Sequence, residues 1–137
     1  MFFAERLSGV FDSSKRSAAI VVQHIVLVIE DNEDGRESLR QLLDAAGHLV
    51  RVAANGPEGV RLALEVEPDL AIIDLDLPGF DGFEVAKRIR QALGDDVRLI
   101  ANTGSDTPRL REEAAAAGFD EYTVKPMLAL ELRRLLA

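Results

Sequence analysis

The chain contains no cysteine in 137 residues. That excludes a disulfide framework and thiolate chemistry, and it fits a reducing compartment. Basic charge is also scarce, with 16 Lys and Arg against 24 Asp and Glu and a net charge of −8. Nucleic-acid binding, which needs a clustered basic face, is not expected. Histidine is limited to His24 and His48, so a zinc or copper site has too few nitrogen and sulfur ligands. No apolar run approaches the roughly 18 residues of a membrane span. Lys15-Arg16 and the run Ala18–Val22 imitate a signal peptide faintly, but Gln23 and His24 interrupt the run and no small-residue cleavage pattern follows. The expectation is a cytoplasmic protein that touches neither membrane nor nucleic acid.

What remains is ordinary globular material, 47% hydrophobic and 29% charged, enough for one domain with a sizeable core. Residues 1–22 read as a frayed N-terminal extension with a short helix around Phe2 to Phe11. Residues 23–137 read as the folded domain. Within it, strand-like runs alternate with helix-like stretches. The strands are Ile25–Ile29, Leu49–Ala53, Leu70–Ile73, Arg98–Ala101 and Glu121–Val124.

Helical spacing places Leu39, Leu42, Leu43 and Ala46 on one face, ended by Gly47. Val60, Ala63 and Leu64 mark a second helix, opened by Asn55-Gly56 with Pro57 at the first helical position. Val85, Ala86, Ile89 and Leu93 mark a third. A fourth runs from Pro108 to Ala117 and stops at Gly118; the last spans Leu128 to Leu136. Five βα units with continuous apolar strands predict a parallel sheet covered on both faces, in the flavodoxin-like, doubly wound order 2-1-3-4-5. No internal repeat, low-complexity tract or linker to a second domain is evident, so output is expected through protein–protein contact.

Polar residues cluster at the ends of these runs. Glu30-Asp31 follows the first strand, Asp74 the third, Thr103 the fourth and Lys125-Pro126 the fifth. Open α/β sheets bind ligands beyond the carboxyl ends of their strands, so one fold gathers all five. Carboxylates pressed together disfavour one another's ionisation unless a cation intervenes. Hard oxygen donors suit Mg²⁺, with Mn²⁺ as the alternative. Taken singly, Glu30-Asp31 serves equally well as a helix cap, Asp76 as a solvated acid, Thr103 as a loop hydroxyl and Lys125 as a surface lysine. Together, a carboxylate nucleophile, a cation site and two donors are the parts of phosphoryl transfer.

The chain from about His24 onward resembles the receiver domain of two-component response regulators. The resemblance rests on Glu30-Asp31-Asn32, on Asp74-Leu75-Asp76-Leu77-Pro78-Gly79-Phe80-Asp81-Gly82, on Thr103-Gly104 and on Lys125-Pro126. It implies that Asp74 is the phosphoacceptor, fed by a histidine kinase or a histidine phosphotransfer protein. It further implies that Glu30, Asp31, Asp74 and the backbone carbonyl of Asp76 hold Mg²⁺, with Thr103 as switch hydroxyl and Lys125 as phosphate partner. Tyr122 matches the aromatic whose rotamer follows phosphorylation; its plainer reading is a half-buried strand aromatic. Glu30 stands where the family more often has aspartate, and Asp76 and Ser105 occupy the positions that tune phosphoryl lifetime.

The implied protein is a signalling switch rather than an enzyme, though one that promotes its own phosphorylation and dephosphorylation. It signals through the surface of the fourth helix, fifth strand and fifth helix to a protein target, with a homodimer as a further partner. Two other readings stand beside it. A pseudo-receiver would keep the fold without accepting phosphate. A haloacid-dehalogenase-type phosphohydrolase is suggested by Asp74-Leu75-Asp76, but that motif usually follows the first strand. A flavin-binding protein is disfavoured, because the acidic first loop would repel a cofactor phosphate.

Overall fold

The computed structural model of the protein describes Leu7–Ser8 and residues 21–137. Five parallel strands form one sheet: β1 (Ile25–Ile29), β2 (Leu49–Ala53), β3 (Leu70–Asp74), β4 (Arg98–Thr103) and β5 (Glu121–Val124). Their order is β2-β1-β3-β4-β5, the doubly wound arrangement that alternating units predict. Five helices connect or follow them: α1 (Glu33–Ala45), α2 (Gly56–Val66), α3 (Gly82–Leu93), α4 (Pro108–Ala117) and α5 (Ala129–Leu135).

Alternation along the strands builds two cores. Leu27, Ile29, Ala71, Ile73, Leu99 and Ala101 face α2, α3 and α4, while Val26, Val28, Leu70, Ile72 and Ile100 face α1 and α5. Central β3 is buried along its whole length, which suits the unbroken apolar run Leu70–Ile73 that leads to Asp74. Truncating Ile73 or Ile72 to alanine would cost about 2–5 kcal/mol.

The first four helices start on side-chain caps. Asn32 accepts from the Gly35 N–H at 2.8 Å, Asn55 from Glu58 at 2.9 Å, Asp81 from Glu84 at 3.0 Å and Thr107 from Leu110 at 3.1 Å. Each is worth about 1 kcal/mol. Asn32 is thus the cap residue of the acidic run, and Glu33 and Asp34 fill the first turn of α1, where the helix dipole favours them.

Several expectations need correction. Leu42 and Leu64 are 39% and 48% exposed, and Ala46 is also exposed; Leu39, Leu43 and Ala63 point inward as expected, and Leu62 joins them. Periodicity finds the stripe but not which of its edges is covered. Leu93 is only partly buried. Pro57 is the second residue of α2, after Gly56. A Cβ on Gly56 would stand 2.6 Å from the Phe80 carbonyl oxygen, so close approach, not turn geometry, requires glycine there.

Leu7–Ser8 is strand, pairing antiparallel with Val21–Val22, where a helix was expected. The rest of the Phe2 to Phe11 segment lies outside the described residues. Among the described residues, no helix is long and apolar enough to cross a membrane.

Candidate functional site: an acidic pocket at the strand ends

Glu30 leaves β1 with its N–H bonded to the Ala53 carbonyl at 3.0 Å, and its side chain turns inward to 4% exposure. Asp74 closes β3 and is equally buried. Its place is fixed from behind by α3: a Cβ on Gly82 would lie 2.4 Å from the Asp74 carbonyl oxygen. Any larger residue there would push the helix off the strand. Glu30, Asp31 and Asp74 each present a carboxylate oxygen within 4.8 Å of the others. Asp31 is the exposed member.

Lys125 closes the pocket from β5. Its N–H donates to the Thr103 carbonyl at 2.8 Å, which ties β5 to the end of β4. The Lys125–Pro126 peptide is cis, a detail the sequence reading did not specify. The ammonium stands 2.7 Å from Glu30 Oε1 and 3.2 Å from Asp74 Oδ2. Behind it, a cavity of about 260 Å³ opens between α1 and the β5–α5 connection, lined in part by Ser38, Asn102 and Met127.

The electrostatics follow from this crowding. Burial pushes the Glu30 carboxyl up to about 7, the Lys125 ammonium opposes it, and Asp74 adds to it. Burial works against the charge on Lys125, but pairing with Glu30 and Asp74 prevails and raises its pKa. One ammonium therefore serves two buried acids while Asp31 stands beside them. A further cation would relieve the pocket.

Thr103 ends β4 and is buried. Its hydroxyl donates to Asp76 Oδ2 at 3.2 Å, and not to Asp74. Asp76 in turn donates its N–H to Asp74 Oδ1 at 2.9 Å. Tyr122, partly buried on β5, donates its hydroxyl to the Ser105 carbonyl at 2.6 Å.

The structure therefore brings Glu30, Asp31, Asp74, Asp76, Thr103 and Lys125 to one rim, with Tyr122 on β5 bonded to the adjoining loop. Sequence reasoning missed Arg36, whose guanidinium donates to the Glu30 carbonyl at 2.9 Å. It also missed the restraint at Gly82. Contacts to backbone oxygens leave no residue pattern that could have signalled them.

The fold and the pocket together define a phosphoacceptor-type signalling domain. The family model of the response regulator receiver domain matches residues 26–137, and the chain belongs to that family. It is 39% identical over 102 residues to the transcriptional regulatory protein AfsQ1 of Streptomyces coelicolor, covering 74% of this chain and 44% of that protein. The chain thus spans less than half the length of that relative.

Among solved structures, it matches the receiver domain of the sensor histidine kinase PA1611 from Pseudomonas aeruginosa PAO1. That match has TM-score 0.76 and 31% identity, covering 84% of this chain and 95% of that one. The PA1611 domain carries a magnesium ion coordinated in its active-site cleft. The chain also matches, with TM-score 0.77 and 27% identity over 83% of this chain and 86% of the other, a co-crystal structure from Saccharomyces cerevisiae. That crystal pairs the histidine phosphotransfer protein Ypd1 with the receiver domain of its downstream response regulator Ssk1.

Proposed function

We propose that the protein receives a phosphoryl group on Asp74 from the phosphohistidine of a histidine kinase or phosphotransfer protein and passes the signal on by protein contact. The observation that carries this reading is the Lys125 ammonium held between Glu30 and Asp74, with a third carboxylate alongside. Such a pocket is already charged, and two of its acids, Glu30 and Asp74, are withdrawn from water, which favours electrostatic stabilisation of transferred phosphate.

The donor set fits a hard divalent cation. It is all oxygen, convergent and over-acidic, and neither histidine is among it. Glu30, Asp31, Asp74 and the Asp76 carbonyl would hold Mg²⁺, or Mn²⁺ in its place. Bound there, the ion would neutralise charge on the incoming phosphoryl oxygens.

The chain's own groups do the rest. An Asp74 carboxylate oxygen attacks phosphorus, the phosphorus–nitrogen bond of the donor breaks, and the donor imidazole keeps the electron pair. Lys125 pairs with the new phosphate oxygens, which carry about −1.5 to −2 charge in place of the single charge of the carboxylate. Thr103 exchanges Asp76 for the same oxygens. Two or three charge-assisted hydrogen bonds of about 1.5–3 kcal/mol each reach the roughly 5.5 kcal/mol needed to invert a 1:99 population.

That change reshapes the α4–β5–α5 surface toward a protein target or a second copy of the chain. The same pocket promotes loss of the phosphoryl group to water. On this reading residues 23–137 form the receiver domain, residues 1–22 are an extension, and the protein works in the cytoplasm.

Intact mass after incubation with acetyl phosphate and Mg²⁺ tests the reading. A gain of one phosphoryl group, absent from Asp74→Asn, is expected. No gain at any donor concentration would leave a pseudo-receiver, and turnover of a generic phosphate ester would leave a phosphohydrolase.

A further inference from the structure

The loop after β4 is closed into a ring by side chains that the phosphoacceptor chemistry does not use. Tyr122 on β5 donates its hydroxyl to the Ser105 carbonyl at 2.6 Å. Over the ring of Tyr122 lies the Arg111 guanidinium of α4, 4.6 Å from the centroid. The same guanidinium grips Asp106 with two bonds, Nε to Oδ1 at 2.6 Å and Nη2 to Oδ2 at 3.1 Å. Asp106 follows Ser105, so the path from loop to helix to strand returns to its start. Thr103 stands two residues before Ser105 and is itself held by a hydroxyl bond to Asp76; its Oγ1 also accepts from the Ser105 N–H at 3.3 Å.

Each contact alone is weak. Arg111 and Asp106 are about half exposed, and exposed ion pairs contribute little. The geometry changes that assessment. The fork is bidentate, which fixes the guanidinium plane, and a fixed plane over the ring fixes Tyr122 in turn. Once Tyr122 is held, its hydroxyl stays on Ser105, and the loop that carries Thr103 cannot drift toward Asp74.

We infer that Arg111 is a positioning residue: clamped by Asp106 and stacked on Tyr122, it holds the Thr103–Thr107 loop in its resting geometry and so sets how readily the domain accepts and retains a phosphoryl group. This rests on the reading of Asp74 as phosphoacceptor. It adds an element outside the pocket that resists the switch, and it supplies a route outward. When Thr103 moves, Tyr122 and Arg111 lose their places, and the exposed surface of α4 changes with them.

The test uses a convenience of composition: Tyr122 is the only tyrosine and tryptophan is absent, so tyrosine emission reports this residue alone. In Arg111→Ala, acrylamide quenching of Tyr122 should rise in the unphosphorylated protein. The initial rate of phosphorylation by acetyl phosphate with Mg²⁺ should rise about two- to five-fold, the factor matching one cation–π contact at an exposed site. Arg111→Lys keeps the charge but not the fork, and should fall between. Asp106→Asn should move both readouts in the same direction by less.

Wild-type values of both readouts in Arg111→Ala would overturn the inference. So would altered quenching with an unchanged rate, since Arg111 would then only cover the ring. If the wild-type protein takes up no phosphoryl group, the reading of Asp74 fails, while quenching in the resting protein still decides whether the clamp exists. Far-UV melting of each variant separates these outcomes from a loss of helix α4.

Discussion

The acidic pocket and the loop beside it share one rim but are held together by opposite means. In the pocket, Glu30 and Asp74 are 4% and 3% exposed and lean on one ammonium. There, charges removed from water interact strongly and are costly to leave unpaired. Around the loop, Thr103 and Tyr122 make single hydrogen bonds and Asp106 and Arg111 a half-exposed ion pair, each worth about 1 kcal/mol or less. The difference suits a switch. The part that must bind a defined charge is preformed, and the part that must move is held by contacts weak enough to exchange.

That contrast can be broken in order of expected effect. Asp74→Asn should abolish phosphoryl uptake completely while leaving the sheet intact, as intact mass and circular dichroism would show. Uptake retained in this variant would place the acceptor elsewhere.

Stability of the metal-free protein should depend on pH in an unusual direction. Glu30 has a folded pKa of about 7 against 4.5 for the free side chain. The folded state therefore holds a proton that the unfolded state releases, and stability falls as pH rises from about 4.5 through 7. The total loss is at most about 3–4 kcal/mol, readable in urea unfolding at pH 5 and pH 8. Added Mg²⁺ should restore most of it at pH 8. A flat profile would mean that Lys125 fully neutralises Glu30.

Removing the ammonium is the next step. Lys125→Ala leaves two buried acids without their shared cation and should destabilise the metal-free protein by about 1–3 kcal/mol. That is less than for a fully enclosed pair, because Lys125 keeps 30% of its surface. Smallest of all, Tyr122→Phe deletes one hydrogen bond from the loop and should shift stability by about 1 kcal/mol or less, while raising the initial phosphorylation rate. If Tyr122→Phe destabilised as much as Lys125→Ala, the two regions would not differ in the way proposed.

The same contrast explains what the sequence disclosed. The pocket was legible because each member stands where an apolar run ends, and strand ends in a doubly wound sheet face one crevice. Alternation and handedness left few strand orders, of which 2-1-3-4-5 was the simplest. The loop was not legible in the same way. Thr103 and Tyr122 could be placed, but a hydroxyl's partner depends on rotamer and on a few tenths of an ångström, and Asp76 rather than Asp74 holds Thr103. Arg111 carries no motif; its importance appears only when the ring of Tyr122 and the carboxylate of Asp106 are seen on either side of it. Helix faces were legible to within one residue of the stripe, since Leu42 and Leu64 sit on margins left partly exposed among the described residues. At the N-terminus, Leu7–Ser8 forms strand by pairing with Val21–Val22, a contact between distant residues that local helical spacing could not foresee.

Mapping the labelled carboxylate tests the account most directly. After phosphorylation with acetyl phosphate and Mg²⁺, the acyl phosphate can be reduced with borohydride and located by peptide sequencing in a mass spectrometer. The account predicts a single modified residue, Asp74, and no modification when Mg²⁺ is withheld. Label on Asp31 or Asp76, or equal labelling without the cation, would contradict it.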